Sequence, residues 1–246
     1  MNPLGLLALI VFASFLVEAA AGFGSMVVAL TLGALWFSVN ELLAWLVPVN
    51  LVLSAYLVAR DWRSIRWRFL ATRMVPLMAL GLGLGTLVAT QAAQTSWLKP
   101  TFGAFVMAVA AWQLRASTST RPLPALGRIT ALVGAGVIHG IFATGGPLAV
   151  FVAARELPEK AAFRGTLSML WLVLNVLVMP RLVADGDVTT QTLSTSALML
   201  VPLALGIGAG EWVHHRLAEE KFRRVVAGLL LVAGGVLLMQ SLRGAP

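Results

Sequence analysis

Gly140-Ile141-Phe142-Ala143-Thr144-Gly145-Gly146-Pro147 cuts the apolar stretch 127–155 into two arms. Together they are too long for one membrane crossing and too short for two. Gly145, Gly146 and Pro147 predict a helix break. Glycine frees the backbone, and proline suits the opening turn of a new helix, where its missing N–H costs nothing. The stretch 3–37 is broken in the same manner by Gly22-Phe23-Gly24-Ser25-Met26. In hydrocarbon, non-helical backbone persists only inside protein or beside a watery cavity. The breaks are where chemistry is expected.

The rest of the chain says that its solvent is lipid. Of 246 residues, 59% are hydrophobic and 11% charged, against about 25% charged in a soluble domain; the mean hydropathy is +0.89. Stretches 42–59, 68–90, 98–115, 163–183, 192–213 and 222–242 are long enough to cross. The formal net charge of +8 is no nucleic-acid footprint, because the positives sit in short loops such as Arg60-Asp61-Trp62-Arg63-Ser64-Ile65-Arg66-Trp67-Arg68, where they orient spans and meet anionic headgroups. Cysteine is absent, which removes disulfides and thiolate chemistry. Residues 4–17 precede a small-residue run, Ala19-Ala20-Ala21, but no basic region stands before them, so no signal cleavage is expected.

An internal repeat orders these stretches. At an offset of 125 residues Asn50 falls on Asn175, Gly81-x-Gly83-x-Gly85 on Gly206-x-Gly208-x-Gly210, Trp97 on Phe222, Lys99 on Arg224 and Gly103 on Gly228. At an offset of 121 the broken segments coincide and Glu18 falls on His139. Charge reverses between the copies. The loop 60–68 carries four Arg and one Asp, whereas its counterpart 184–191 has Asp185 and Asp187 and no Lys or Arg. The loop 91–97 is uncharged, whereas 214–224 carries Arg216, Lys221, Arg223 and Arg224 beside Glu219 and Glu220. By the positive-inside rule the halves are inverted. The expected fold is an all-α polytopic membrane protein of two inverted-topology repeats, each a broken or re-entrant helical hairpin followed by three transmembrane helices. The repeats are residues 1–118 and 127–246, joined by a cytoplasmic linker, 119–126, with both termini outside, on the periplasmic face. Gly81/Gly85, Gly206/Gly210 and Gly136/Gly140 have the spacing of close helix contacts and read as packing.

Each hairpin's second arm is expected to begin near the midplane, where bare amides and the positive end of the helix dipole favour an anion. Gly22, Phe23, Gly24 and Ser25 line one break, and Ala143, Thr144, Gly145 and Gly146 the other; Ser25 and Thr144 add hydroxyls. The two breaks are expected to converge on one site. Asn50 and Asn175, in mid-span, either bind the substrate or hold the hairpins. Arg164 either anchors its span at the cytoplasmic face or draws in an anion. Glu18 and His139 sit one turn before the breaks. Ionisable groups inside a membrane are functional candidates by default, and these two are the proton-coupling candidates; structural bonding is their other reading. No phosphate-binding G-x-x-x-x-G-K-[ST] occurs, no metal site or cofactor is expected, and no catalytic constellation points to an enzyme.

Ala21-Gly22-Phe23-Gly24-Ser25 and Gly140–Pro147, each opening one half, resemble the sulfite exporter TauE/SafE family, as does the step Arg164-Gly165-Thr166. The resemblance spans essentially the whole chain. It implies an inner-membrane transporter of sulfur-containing anions such as sulfite, sulfoacetate or related organosulfonates, usually exporting them. The family's commoner triple-glycine pattern is replaced here by Gly-Phe-Gly-Ser and Thr-Gly-Gly-Pro. The expected partners are a small anion, the bilayer and a coupling proton, with a homodimer left open and nucleic acid excluded. A passive anion or small-solute channel is the alternative to alternating access at a midplane site.

Overall fold

A computed structural model describes residues 2–21, 24–92, 98–115, 123–157, 159–214 and 219–242. Regular structure among them is entirely helical. The first half contains α1 (Pro3–Ala21), α2 (Ser25–Gly33), α3 (Val39–Asp61), the short α4 (Trp67–Phe69), a π-turn at Leu70–Met74, α5 (Val75–Ala92) and α6 (Leu98–Arg115). The second contains α7 (Ala125–Phe142), α8 (Gly146–Glu156), α9 (Lys160–Ala184), α10 (Thr190–Leu198), α11 (Leu200–His214) and α12 (Glu219–Leu242). Five described segments are long and apolar enough to cross a membrane: Val39–Ser64, Trp67–Gln91, Ala125–Phe142, Lys160–Ala184 and Thr190–Trp212. The apolar parts of α1, α6 and α12 are shorter, at Pro3–Ala19, Pro100–Trp112 and Ala227–Ser241.

Both hairpins are asymmetric. α1 has 19 residues and α7 has 18, a rise of about 28 Å, close to a full hydrocarbon core. α2 and α8 have 9 and 11 residues and rise only about 14–16 Å. The shortfall noted in the apolar stretches thus falls wholly on the second arms. α2 stops at Gly33, over which the Leu42 side chain folds. After the turn, Ser38 and Glu41 form a capping box: the Glu41 N–H donates to Ser38 Oγ at 3.2 Å, and the Ser38 N–H donates to Glu41 Oε2 at 2.9 Å. The expected span 192–213 is two helices interrupted at Met199. Pro202 explains the step, since it has no N–H to offer the Leu198 carbonyl four residues back and its ring crowds that turn.

The contacts divide the chain into two compact units. The first comprises Met1–Leu46, Gln94–Ser117 and Thr190–Pro246; the second, Val47–Ala93 and Thr118–Thr189. Within the first, α1 runs alongside α11, α6 alongside α12, and α2 lies against α1, α6 and α12. Within the second, α5 runs alongside α7, α8 lies against α7 and α9, and α9 touches α5. Lipid offers helices no hydrophobic reward for meeting, so close backbone approach supplies the attraction. Added methyl groups at Gly81 and Gly85 would strike the carbonyls of Val133 and Val137. At Gly206 and Gly210 they would meet those of Phe12 and Leu16. Gly136 and Gly140 press reciprocally on Met78 and Leu82. All three glycine pairs are packing contacts. The numbering rises together along both partners, so α5 and α7 run parallel, as do α1 and α11.

An ionic layer closes one end of the second unit. Arg164 Nε donates to Asp61 Oδ2 at 2.7 Å, Arg66 Nη2 meets Glu159 at 2.9 Å, and Arg128 and Arg73 meet Glu156 at 3.0 and 3.8 Å. The Arg66 N–H donates to Thr166 Oγ1 at 3.0 Å.

Candidate functional site

The first break lies between α1 and α2. Gly22 and Phe23 fall outside the described residues. Gly24 is the N-cap of α2, held in the left-handed region at φ 106°, where a side chain would be strained. Ser25, the first residue of α2, is buried, and its Oγ has no hydrogen-bond partner. Its N–H donates to Glu18 Oε2 at 3.2 Å. Glu18, half-buried on α1, therefore caps the amide end that the sequence reading leaves open for an anion.

The second break lies between α7 and α8. Ala143 takes a left-handed conformation at φ 50°, and its N–H closes α7 by donating to the His139 carbonyl at 2.7 Å. This is an αL helix end made by alanine rather than glycine. Thr144 follows, then Gly145 as the N-cap of α8 and Gly146 as its first residue. Pro147 occupies the second helical position, where the backbone N–H has no intrahelical acceptor anyway. Gly145 lies directly on α7, facing the Ala135 carbonyl and, at 3.0 Å from a notional Cβ, the Cβ of His139.

His139 is 2% exposed and stacks on Trp171 of α9, with ring centroids 5.9 Å apart and planes 12° off parallel. It lies beside Asn175, one turn beyond Trp171 on the same face of α9. Asn175 Nδ2 donates to Asn50 Oδ1 at 2.8 Å, and Ser54 Oγ donates to the same oxygen at 3.3 Å. The asparagines, 125 residues apart in sequence, meet directly. Both readings of the pair stay chemically live: one amide edge joins two helices, and Asn175 Oδ1 remains unpartnered.

Helix rise sets the separation of the asparagines from the ionic layer. Asn50 and Asn175 each stand eleven residues from the Asp61–Arg164 pair, about 16 Å along α3 and α9. Half the hydrocarbon thickness is about 15 Å. Arg164 is committed to a largely buried carboxylate, Asp61 being 13% exposed, and stands a half-membrane from His139's neighbour. Arg164→Gln is expected to lower the melting temperature in detergent, because it strands that carboxylate. An unchanged melting temperature would mean that the pair adds nothing to stability.

Five buried side-chain polar atoms lack a hydrogen-bond partner among the described residues: Ser25 Oγ, both His139 nitrogens, Thr144 Oγ1 and Asn175 Oδ1. Buried polar groups are paired in the great majority of cases, so unpaired ones need a reason. All five belong to the two breaks and the asparagine beside the second. Two further residues escaped sequence reasoning. Trp171 looked like one apolar residue among many. Arg181, 9% exposed, donates from Nη1 to the Gly140 carbonyl at 2.6 Å and from Nε to Asp185 Oδ2 at 3.1 Å. It satisfies a carbonyl that the α7 terminus sets free. A lone basic residue straight after Pro180, at the end of an apolar stretch, was its only sequence signal.

Comparison with known proteins matches residues 6–237 to the family model described as sulfite exporter TauE/SafE. A probable inner membrane transporter protein, TsaS of Comamonas testosteroni, is 27% identical over 184 residues, covering 74% of this chain and 76% of the relative. No solved structure matches. The chain is a multi-pass inner-membrane transporter and belongs to the sulfite exporter TauE/SafE family.

Proposed function

We propose that the protein is a secondary transporter that exports a small sulfur-containing anion, such as sulfite, sulfoacetate or a related organosulfonate, by alternating access between inverted repeats. The observation that carries this reading is the open donor capacity of His139 and Thr144, buried at a helix break in a nearly uncharged interior. An oxyanion accepts from the Thr144 hydroxyl and an imidazole N–H, and the start of α8 adds a favourable dipole end. The half-membrane depth of the Asn50–Asn175 pair supports a midplane site. The helix ends at 21 and 142, and the helix starts at 25 and 146, share the offset of 121, which supports duplication. The parallel runs of α5 with α7 and of α1 with α11 agree with a linker and termini on opposite faces, and the basic loop 60–68 assigns the linker to the inside. Glu18 and His139 are the groups assigned to proton coupling.

The test is flux in proteoliposomes. Sulfite and sulfoacetate uptake is expected to saturate, to respond to an imposed pH gradient, and to lose that response in Glu18→Gln and His139→Ala variants that insert normally. Linear flux indifferent to the gradient would make the protein a channel and overturn the proposal.

A further inference from the structure

The two breaks stand at equivalent places in the sequence and carry opposite chemistry. Their N-caps, Gly24 and Gly145, and the first residues of their second arms, Ser25 and Gly146, are equivalent positions of the repeat. One turn before the first break stands a carboxylate, which accepts the leading amide of α2. One turn before the second stands an imidazole beside the Asn175 amide, with neither nitrogen in a well-formed hydrogen bond. A buried hydroxyl stands at each break, Ser25 or Thr144, at 1% and 2% exposure; neither makes a well-formed hydrogen bond, and that of Ser25 lies beside the Glu18 carboxyl group. A helix start attracts one negative charge, and a carboxylate already seated there repels a second.

We propose that each chain binds a single free oxyanion, at the second break, because the tethered Glu18 carboxyl group already takes the leading amide of the first. This rests on the transport reading above. It makes Glu18 a specificity element that keeps two breaks of common design from loading two anions. Removing the carboxylate without filling its space would convert the first break into a second oxyanion site, built from the Ser25 N–H and Oγ.

Titration calorimetry on the detergent-purified chain, with sulfite and then sulfoacetate as probes, counts the sites. The wild type is expected to bind one anion, with affinity reduced about tenfold in Thr144→Val. Glu18→Ala and Glu18→Ser are expected to bind two, and Ser25→Ala added to either should return the count to one. Glu18→Ala combined with Thr144→Val should retain the new site at full strength. Two anions on the wild type, or one on folded Glu18→Ala and Glu18→Ser, would overturn the inference and leave the transport reading standing. No binding to the wild type would bring down both.

Discussion

Gly145→Ala is expected to destabilise the protein by about 3 kcal/mol, the upper end of overpacking costs, read as a lowered unfolding midpoint in detergent or mixed micelles. The residue's backbone is ordinary, with φ −60°, so alanine meets no conformational penalty there. The obstacle is steric: its methyl group would be driven into the Ala135 carbonyl and against His139 Cβ. Both are fixed to the α7 backbone and cannot swing away. Relief requires lifting the start of α8 off α7, which also displaces Thr144 and Gly146. Gly146→Ala, one residue on, is the control, since its nearest neighbour is Trp171 Cζ2 at 4.0 Å; about 0.5 kcal/mol or less is expected there. Gly24→Ala probes the equivalent N-cap of the other repeat and should fail for a different reason. Nothing lies within 4 Å of its notional Cβ, but φ is +106°, so the cost is the conformational one of about 1–2 kcal/mol. Equal effects at Gly145 and Gly146 would mean that α8 does not rest on α7 as described.

That contrast marks how far the sequence is legible. Glycine and proline in a lipid-soluble chain located both breaks. Gly81/Gly85, Gly136/Gly140 and Gly206/Gly210 were readable as contacts because only small residues let helix backbones touch. Which glycine serves conformation and which serves close approach was not readable, since both appear as the same letter in equivalent places. Nor was the unequal length of the hairpin arms. It depends on where chain ends are capped, by Glu18 on Ser25 and by Ser38 with Glu41, rather than on hydropathy. The split at Met199 was visible in principle, because Pro202 must break the bond to Leu198. Arg181 and Trp171 were missed because their roles exist only in three dimensions. One satisfies a carbonyl forty-one residues away in sequence, and the other forms a face against which His139 stacks.

Glu18 shows why a site residue's type is more legible than its state. From the sequence, an intramembrane carboxylate beside a helix start reads as a mobile-proton group next to an empty anion seat. In the structure its Oε2 accepts the leading amide of α2, a contact that hydropathy does not reveal. At the second break the seat holds no side chain, and the hydrogen-bonding groups around it are left over. Polar groups kept unpaired in a low-dielectric interior are expensive. Their retention is best understood as stability exchanged for ligand binding, which makes a prediction in which stability and activity move in opposite directions.

Thr144→Val is expected to raise stability and to lower transport. The threonine is 2% exposed with its hydroxyl unpartnered, so an isosteric methyl group removes a desolvated polar atom without opening a cavity, worth up to about 1–3 kcal/mol in the apo protein. A hydrogen bond to a charged ligand contributes about 1.5–3 kcal/mol, so the same substitution should weaken sulfite or sulfoacetate flux at limiting concentration by about ten- to a hundredfold. His139→Ala should lose flux at least as strongly. It should not share the gain in stability, because it also empties the space against Trp171 and leaves a cavity. The diagnostic is therefore the pair of signs at position 144, read from unfolding midpoints without ligand and from initial rates in proteoliposomes. If Thr144→Val melts lower than wild type, the hydroxyl already has a structural partner. If it melts higher and transports at the wild-type rate, the hydroxyl faces the break without touching the anion, and the second break is not the binding site.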